Sequence, residues 1–75
     1  MTSSNLIRAA GEALYGATSW QLQLARDLGV NRETVARWAR GDFAIPPARL
    51  AELAALCEER AAGLAKLAKA IRRHP

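Results

Sequence analysis

Arg32, Arg37 and Arg40 fall within a nine-residue stretch in which Glu33 is the only acid. Guanidinium groups at that density suit anionic or acceptor-rich surfaces, because each presents a planar fork of donors to paired oxygens or ring nitrogens. A second set of cations, Lys66, Lys69, Arg72 and Arg73, lies near the end of the chain, where no acid accompanies them. Catalytic chemistry finds much less support. His74 is the only histidine and sits beside the last residue, and Cys57 is the only cysteine. One thiol cannot form an internal disulfide, and no Cys/His cluster has the spacing of a zinc site. The expectation is therefore a protein that is not an enzyme, with no cofactor and no metal.

The elements that must hold these residues are legible from Gly and Pro. Ser3, Ser4 and Asn5 offer helix N-caps before a run from Leu6 to Tyr15, in which Leu6, Ala10 and Leu14, with Ala13 beside them, give an apolar stripe. Gly16 ends that run. Thr18-Ser19-Trp20-Gln21 has the spacing of a capping box opening a second helix from Trp20 to Leu28. Trp20, Leu24 and Leu28 share one face of it, with Ala25 alongside; Leu22 points elsewhere. Gly29 stops the helix, and Asn31 caps a third, from Arg32 to Arg40, with Gly41 beyond it. So short a link between two short helices forces a sharp turn. Asp42 to Pro46 reads as a loop returning Phe43 and Ile45 to the core. Pro46-Pro47 then opens a final helix, since proline suits the first helical turn.

Seventy-five residues make one small domain, and such a chain buries only about 60% of the surface it exposes when unfolded. An all-α bundle completed by a second copy is the expectation. The final helix supplies the means. Leu50, Leu53, Cys57, Arg60, Leu64, Leu67 and Ile71 step alternately by three and four, an a/d row with one polar interruption at Arg60, broadened by Leu56 and Ala61. Its first half closes the core. Residues 59–75 form a helical extension in which Leu64, Leu67 and Ile71 need another surface, as dimer contacts or, if the helix breaks at Gly63, against their own domain. Cys57 reads as a small buried hydrophobe. No apolar run reaches membrane-spanning length and no secretory signal follows Met1, so a cytoplasmic, nucleoid-associated protein is expected. A basic helix lying on a membrane surface is disfavoured, because no Trp or Phe accompanies the tail leucines.

The segment from Gln21 to Trp38 resembles the Cro/repressor-type (XRE-like) helix-turn-helix family of transcription regulators. Gln21, the small Ala25, the turn residues Gly29 and Val30, and the inward Val35 and Trp38 carry the likeness, and Ala25-Arg26-Asp27-Leu28-Gly29-Val30 is especially similar. The motif spans about a quarter of the chain; the family's usual five-helix architecture would occupy residues 5–58. The resemblance implies that Asn31, Arg32, Glu33, Ala36 and Arg37, at the start of the recognition helix, read bases.

Helical geometry supports that assignment independently. At about 100° per residue, Val35 and Trp38 fall within about 60° of each other, while Arg32, Ala36, Arg40, Glu33 and Arg37 share the opposite side. Arginine there can pair bidentately with guanine in the major groove. Arg40, late on the helix, suits a phosphate, and Thr18, Ser19 and Gln21 at the second helix's N-terminus suit another. Ordinary capping by Asn31 and an i,i+4 pair between Glu33 and Arg37 are the plainer alternatives. Trp20, Trp38, Phe43 and Tyr15 read as core rather than as base-stacking platforms. The expected protein is a single domain, residues 1–75: a homodimeric, sequence-specific double-stranded DNA-binding regulator, most simply a repressor. The competing reading is an antitoxin-like adaptor whose last helix binds a partner protein.

Overall fold

The computed structural model describes residues 2–75, which fold as four helices: α1 (Ser3–Tyr15), α2 (Trp20–Leu28), α3 (Arg32–Arg40) and α4 (Pro47–Arg73). The fold is an all-α four-helix bundle with a long final helix. Four helices stand where the family resemblance implied five, because everything after the Asp42–Pro46 loop is one continuous helix.

α1 begins earlier than its apolar pattern indicates. Thr2 is the N-cap, its hydroxyl accepting from the Asn5 N–H at 3.2 Å. The inward face also differs from the expected stripe: Ile7, Gly11 and Leu14 are buried, whereas Leu6 is 43% exposed and Ala13 faces solvent. Both rows end on Leu14 with helical spacing, so periodicity alone cannot separate them. Gly11 decides it. The Trp20 ring lies so close that a Cβ on Gly11 would stand 2.6 Å from Cδ2 and 2.8 Å from Cζ3. α1 turns its one glycine toward the bulkiest side chain of α2, and Leu6 rotates out.

α2 and α3 end in the same way. Gly29 and Gly41 adopt left-handed φ values of 70° and 80°. The following residues donate back across the turn, Val30 N–H to the Ala25 carbonyl and Asp42 N–H to the Arg37 carbonyl, each at 3.0 Å. These are Schellman closures, which glycine permits without a Cβ penalty. The capping box expected at α2 does not form. Ser19, not Thr18, is the N-cap and makes no side-chain cap bond; from Ser19 the third helical position is Leu22, which cannot return one.

The core is built from Ile7, Trp20, Leu24, Ala25, Leu28, Val35, Trp38, Ala39, Ile45 and Leu53. α3 packs against α1 and α2 but not α4, leaving its outer side open. Only half of the expected loop anchor holds. Ile45 is buried, but Phe43 is 54% exposed. α4 runs unbroken through Gly63, about 40 Å long at 1.5 Å per residue, and sets the long dimension of a molecule measuring 51 × 24 × 23 Å. Leu53 is its buried residue; Leu50, Leu56 and Cys57 are half-buried, so the thiol is not enclosed as expected. Beyond them Leu64, Leu67 and Ile71 are 57, 56 and 65% exposed.

Candidate nucleic-acid interface

α3 is oriented by Val35, Trp38 and Ala39, all buried, and by its cap. The Asn31 amide oxygen accepts from the Thr34 N–H at 3.0 Å and the Thr34 hydroxyl at 3.1 Å. Asn31 therefore does what the plainer alternative assigned it. Its amide nitrogen makes no bond among the described residues, so capping leaves two donors at the head of the helix. With one face packed, the others point outward: Arg32, Glu33, Arg37 and Arg40 are exposed, and Ala36 is a half-buried shallow spot between them.

The arginines are not equivalent. Glu33 Oε1 accepts from Arg37 Nε at 3.1 Å and from Arg40 Nη2 at 3.4 Å. Those bonds, Arg37's first, hold the Glu33 carboxyl below the ordinary carboxylate range. Arg40 also donates to Asp42 Oδ2 at 3.0 Å; that bond and the one to Glu33 raise its pKa. The Arg37 guanidinium stands 5.4 Å from the centre of the Phe43 ring, within cation–π reach. Arg32 alone of the three has no acidic partner among the described residues.

Arg32 joins the second half of the site. With Thr18, Ser19, Gln21 and Leu22 it lines a concave space of about 350 Å³ at the N-terminus of α2. The missing Ser19 cap bond matters here, because first-turn N–H groups of a helix have no intrahelical acceptors and carry the positive end of its dipole. The residues expected to hold a phosphate thus share one hollow with the unpaired arginine of α3. Leu22, which had no assignment, forms an apolar part of that hollow and is 41% exposed.

Three features escaped sequence reasoning. Phe43 is one: the core was the expected place for it, and it faces outward beside Arg37. Arg49 is another, donating to the Leu28 carbonyl at 3.0 Å and to Glu52 at 3.1 Å, so that it ties the start of α4 to the end of α2. The third is Tyr15, half-buried, whose hydroxyl donates to Asp27 Oδ2. Burial first, then that bond, raises its pKa well above the ordinary value. Distance in sequence hides the last two, since neither Arg49 with Leu28 nor Tyr15 with Asp27 has a spacing signature.

The bundle is thus a four-helix protein that presents a basic helix next to an uncapped helix N-terminus. No family model, curated protein or solved structure matches the chain. Among the described residues, no cluster of His, Cys, Asp and Glu is arranged to hold a metal ion, and no helix is long and apolar enough to cross a membrane.

Proposed function

We propose that the protein is a sequence-specific double-stranded DNA-binding regulator, most simply a repressor of the XRE-like type, that inserts α3 into the major groove. The observation that carries this reading is the hollow shared by Arg32 and the α2 N-terminus, directly beside the exposed face of α3. A duplex needs both kinds of contact, anion-holding groups on the backbone and donors at base edges. Here Thr18, Ser19, Gln21 and Arg40 serve the backbone. Asn31, Arg32, Glu33, Ala36 and Arg37 face the bases. Glu33 doubles as the acceptor that holds Arg37 and Arg40 in place.

Two copies act together in this reading, joined through Leu64, Leu67 and Ile71, whose exposure leaves a row of large apolar side chains in water. A symmetric dimer presents two α3 helices to a two-fold operator. The same row supports the second reading, an antitoxin-like adaptor that covers it with a different protein. The mass of the purified chain alone separates them, since an adaptor awaiting its partner stays monomeric.

Selection from a random duplex pool tests the function. The expected result is an enriched palindrome whose binding weakens steeply with salt through counterion release. No enrichment, together with affinity indifferent to salt, rejects DNA binding.

A further inference from the structure

We infer that two copies pair through antiparallel α4 tails, with Leu64 of each against Leu67 of the other and each tail tip seated against the other copy's α1–α2–α4 junction. This rests on the dimer proposed above but not on DNA binding.

The first argument is steric. One apolar row runs the length of α4, and its two halves are already used differently. At Leu50, Leu53 and Cys57 it is covered by α1 and α2 of its own chain; from Leu64 onward it is bare. A second α4 running parallel along the bare part would continue, toward its N-terminus, into the space those helices occupy. Its own α1 and α2 would do the same in return. An antiparallel helix avoids both collisions, because it enters from the free end and stops where the body begins. With a row stepping by three and four, the register that uses the bare residues sets Leu64 against Leu67 twice around the two-fold axis and brings Ile71 over Arg60.

The second argument is about area. Residues 64–73 extend only about 15 Å, and three side chains per copy fall well short of the roughly 1,200 Å² that specific interfaces bury. The antiparallel register adds a receiving surface for each tip. Leu14, Tyr15, Asp27, Leu56 and Arg60 line a hollow of about 300 Å³ where α4 leaves the body, which is where Ile71 of the other copy arrives.

The third argument is charge. Residues 61–75 hold four cations and no acid. Either arrangement lays the tails about 8–10 Å apart, but parallel tails also set Arg72 and Arg73 of one copy beside those of the other, at about a Debye length. Antiparallel tails instead carry each basic tip to a body end where Asp27, Glu58 and Glu59 have no cationic partner among the described residues. Asp27 and Glu59 line the receiving hollow together with Arg60, whereas the tip cations lie off the apolar row, so the attraction acts through the summed field rather than as fixed bridges.

The test uses two single-cysteine proteins in a Cys57→Ser background, Arg60→Cys and Ile71→Cys, both at exposed positions. They are mixed, equilibrated in a glutathione redox buffer and mapped by peptide mass spectrometry, with circular dichroism confirming the fold. A disulfide requires Cα atoms within about 7 Å, so the expected product is the mixed 60–71 link. Like-to-like links only, or no link, overturn the antiparallel register. Sedimentation then tells the two failures apart: a dimeric mass leaves the dimer standing, and a monomeric one removes it as well. Arg72→Glu with Arg73→Glu gives an independent sign. It should loosen the antiparallel dimer about fivefold, on the scale of exposed ion pairs. Parallel tails, relieved of repulsion, would tighten, which would refute the proposal.

Discussion

Gly11 and Trp20 fit each other as a groove fits a ridge: the indole ring occupies the volume that any side chain on Gly11 would need. This contact sets the rotation of α1 and, through Trp20, seats α2 and the start of the hollow that Arg32 completes. Replacing Gly11 by Ala should therefore destabilise the fold. Alanine in an exposed helix interior would gain about 1 kcal/mol over glycine. Overpacking here costs about 1–3 kcal/mol or more, since the neighbour is a rigid ring. With the Cβ under 3 Å from ring atoms the cost falls at the upper end, so a net loss of about 2 kcal/mol is expected, and each kcal/mol lowers Tm by about 4–8 °C in a domain of this size. Thermal denaturation reads it directly, and a raised Tm would show that α1 is not held this way.

Glu33 restrains two arginines at once, so its removal should strengthen duplex binding. Glu33→Gln keeps the shape but takes a negative charge away from the surface proposed to meet phosphate and releases Arg37 and Arg40. Affinity for duplex DNA should rise severalfold at low salt, with the slope of log K against log[salt] steeper by about one. Fluorescence anisotropy over a salt series measures both. An unchanged affinity would put α3 away from the phosphates.

Arg37 is held on two sides, by Glu33 and by the face of Phe43. A guanidinium held in that way suits base reading better than diffuse phosphate contact. Arg37→Ala should cost about 1–3 kcal/mol on the selected site and relax preference at a single position. Equal loss on every sequence would make Arg37 a backbone contact instead.

Tyr15 gives a pH signature outside the proposed interface. Its hydroxyl is kept protonated in the folded state by burial and by Asp27. A pKa raised on folding contributes stability that is complete below the unfolded value of about 10 and is lost as pH rises beyond it. Tyr15→Phe should thus be less stable than the wild type by no more than about 1 kcal/mol at neutral pH. That gap should close above pH 10, because the unfolded wild type ionises there while the folded hydroxyl keeps its proton, and phenylalanine has nothing to titrate. Urea titrations of both proteins at a series of pH values check it; a gap that widens in alkali would contradict the assignment.

Helix limits were largely legible in the sequence because glycine and proline act locally. Gly29 and Gly41 end α2 and α3 by their own backbone freedom, and Pro47 opens α4 by lacking an N–H. The inward faces of α2 and α3 followed from spacing, since Trp20, Leu24 and Leu28, or Val35 and Trp38, allow only one register. α1 was ambiguous because its two candidate rows differ only in whether a glycine counts as a packing residue. Phe43 was misplaced because a loop has no period to constrain its direction. In the candidate site, exposed arginines could be read from α3 alone. The joining of Arg32 to Thr18, Ser19 and Gln21 could not, as it depends on how α2 and α3 cross.

The unbroken course of α4 through Gly63 restricts how such a chain can change in length. One residue inserted near Gly63 would turn Leu64, Leu67 and Ile71 by about 100° relative to Leu53, away from the side on which α1 and α2 lie. Insertions of seven nearly restore the alignment, whereas those of one or two do not. Length variation in this part of the molecule is accordingly quantised: α4 can grow or shrink by about seven or eleven residues, each within about 20° of whole turns, and keep both halves of its apolar row facing the same way.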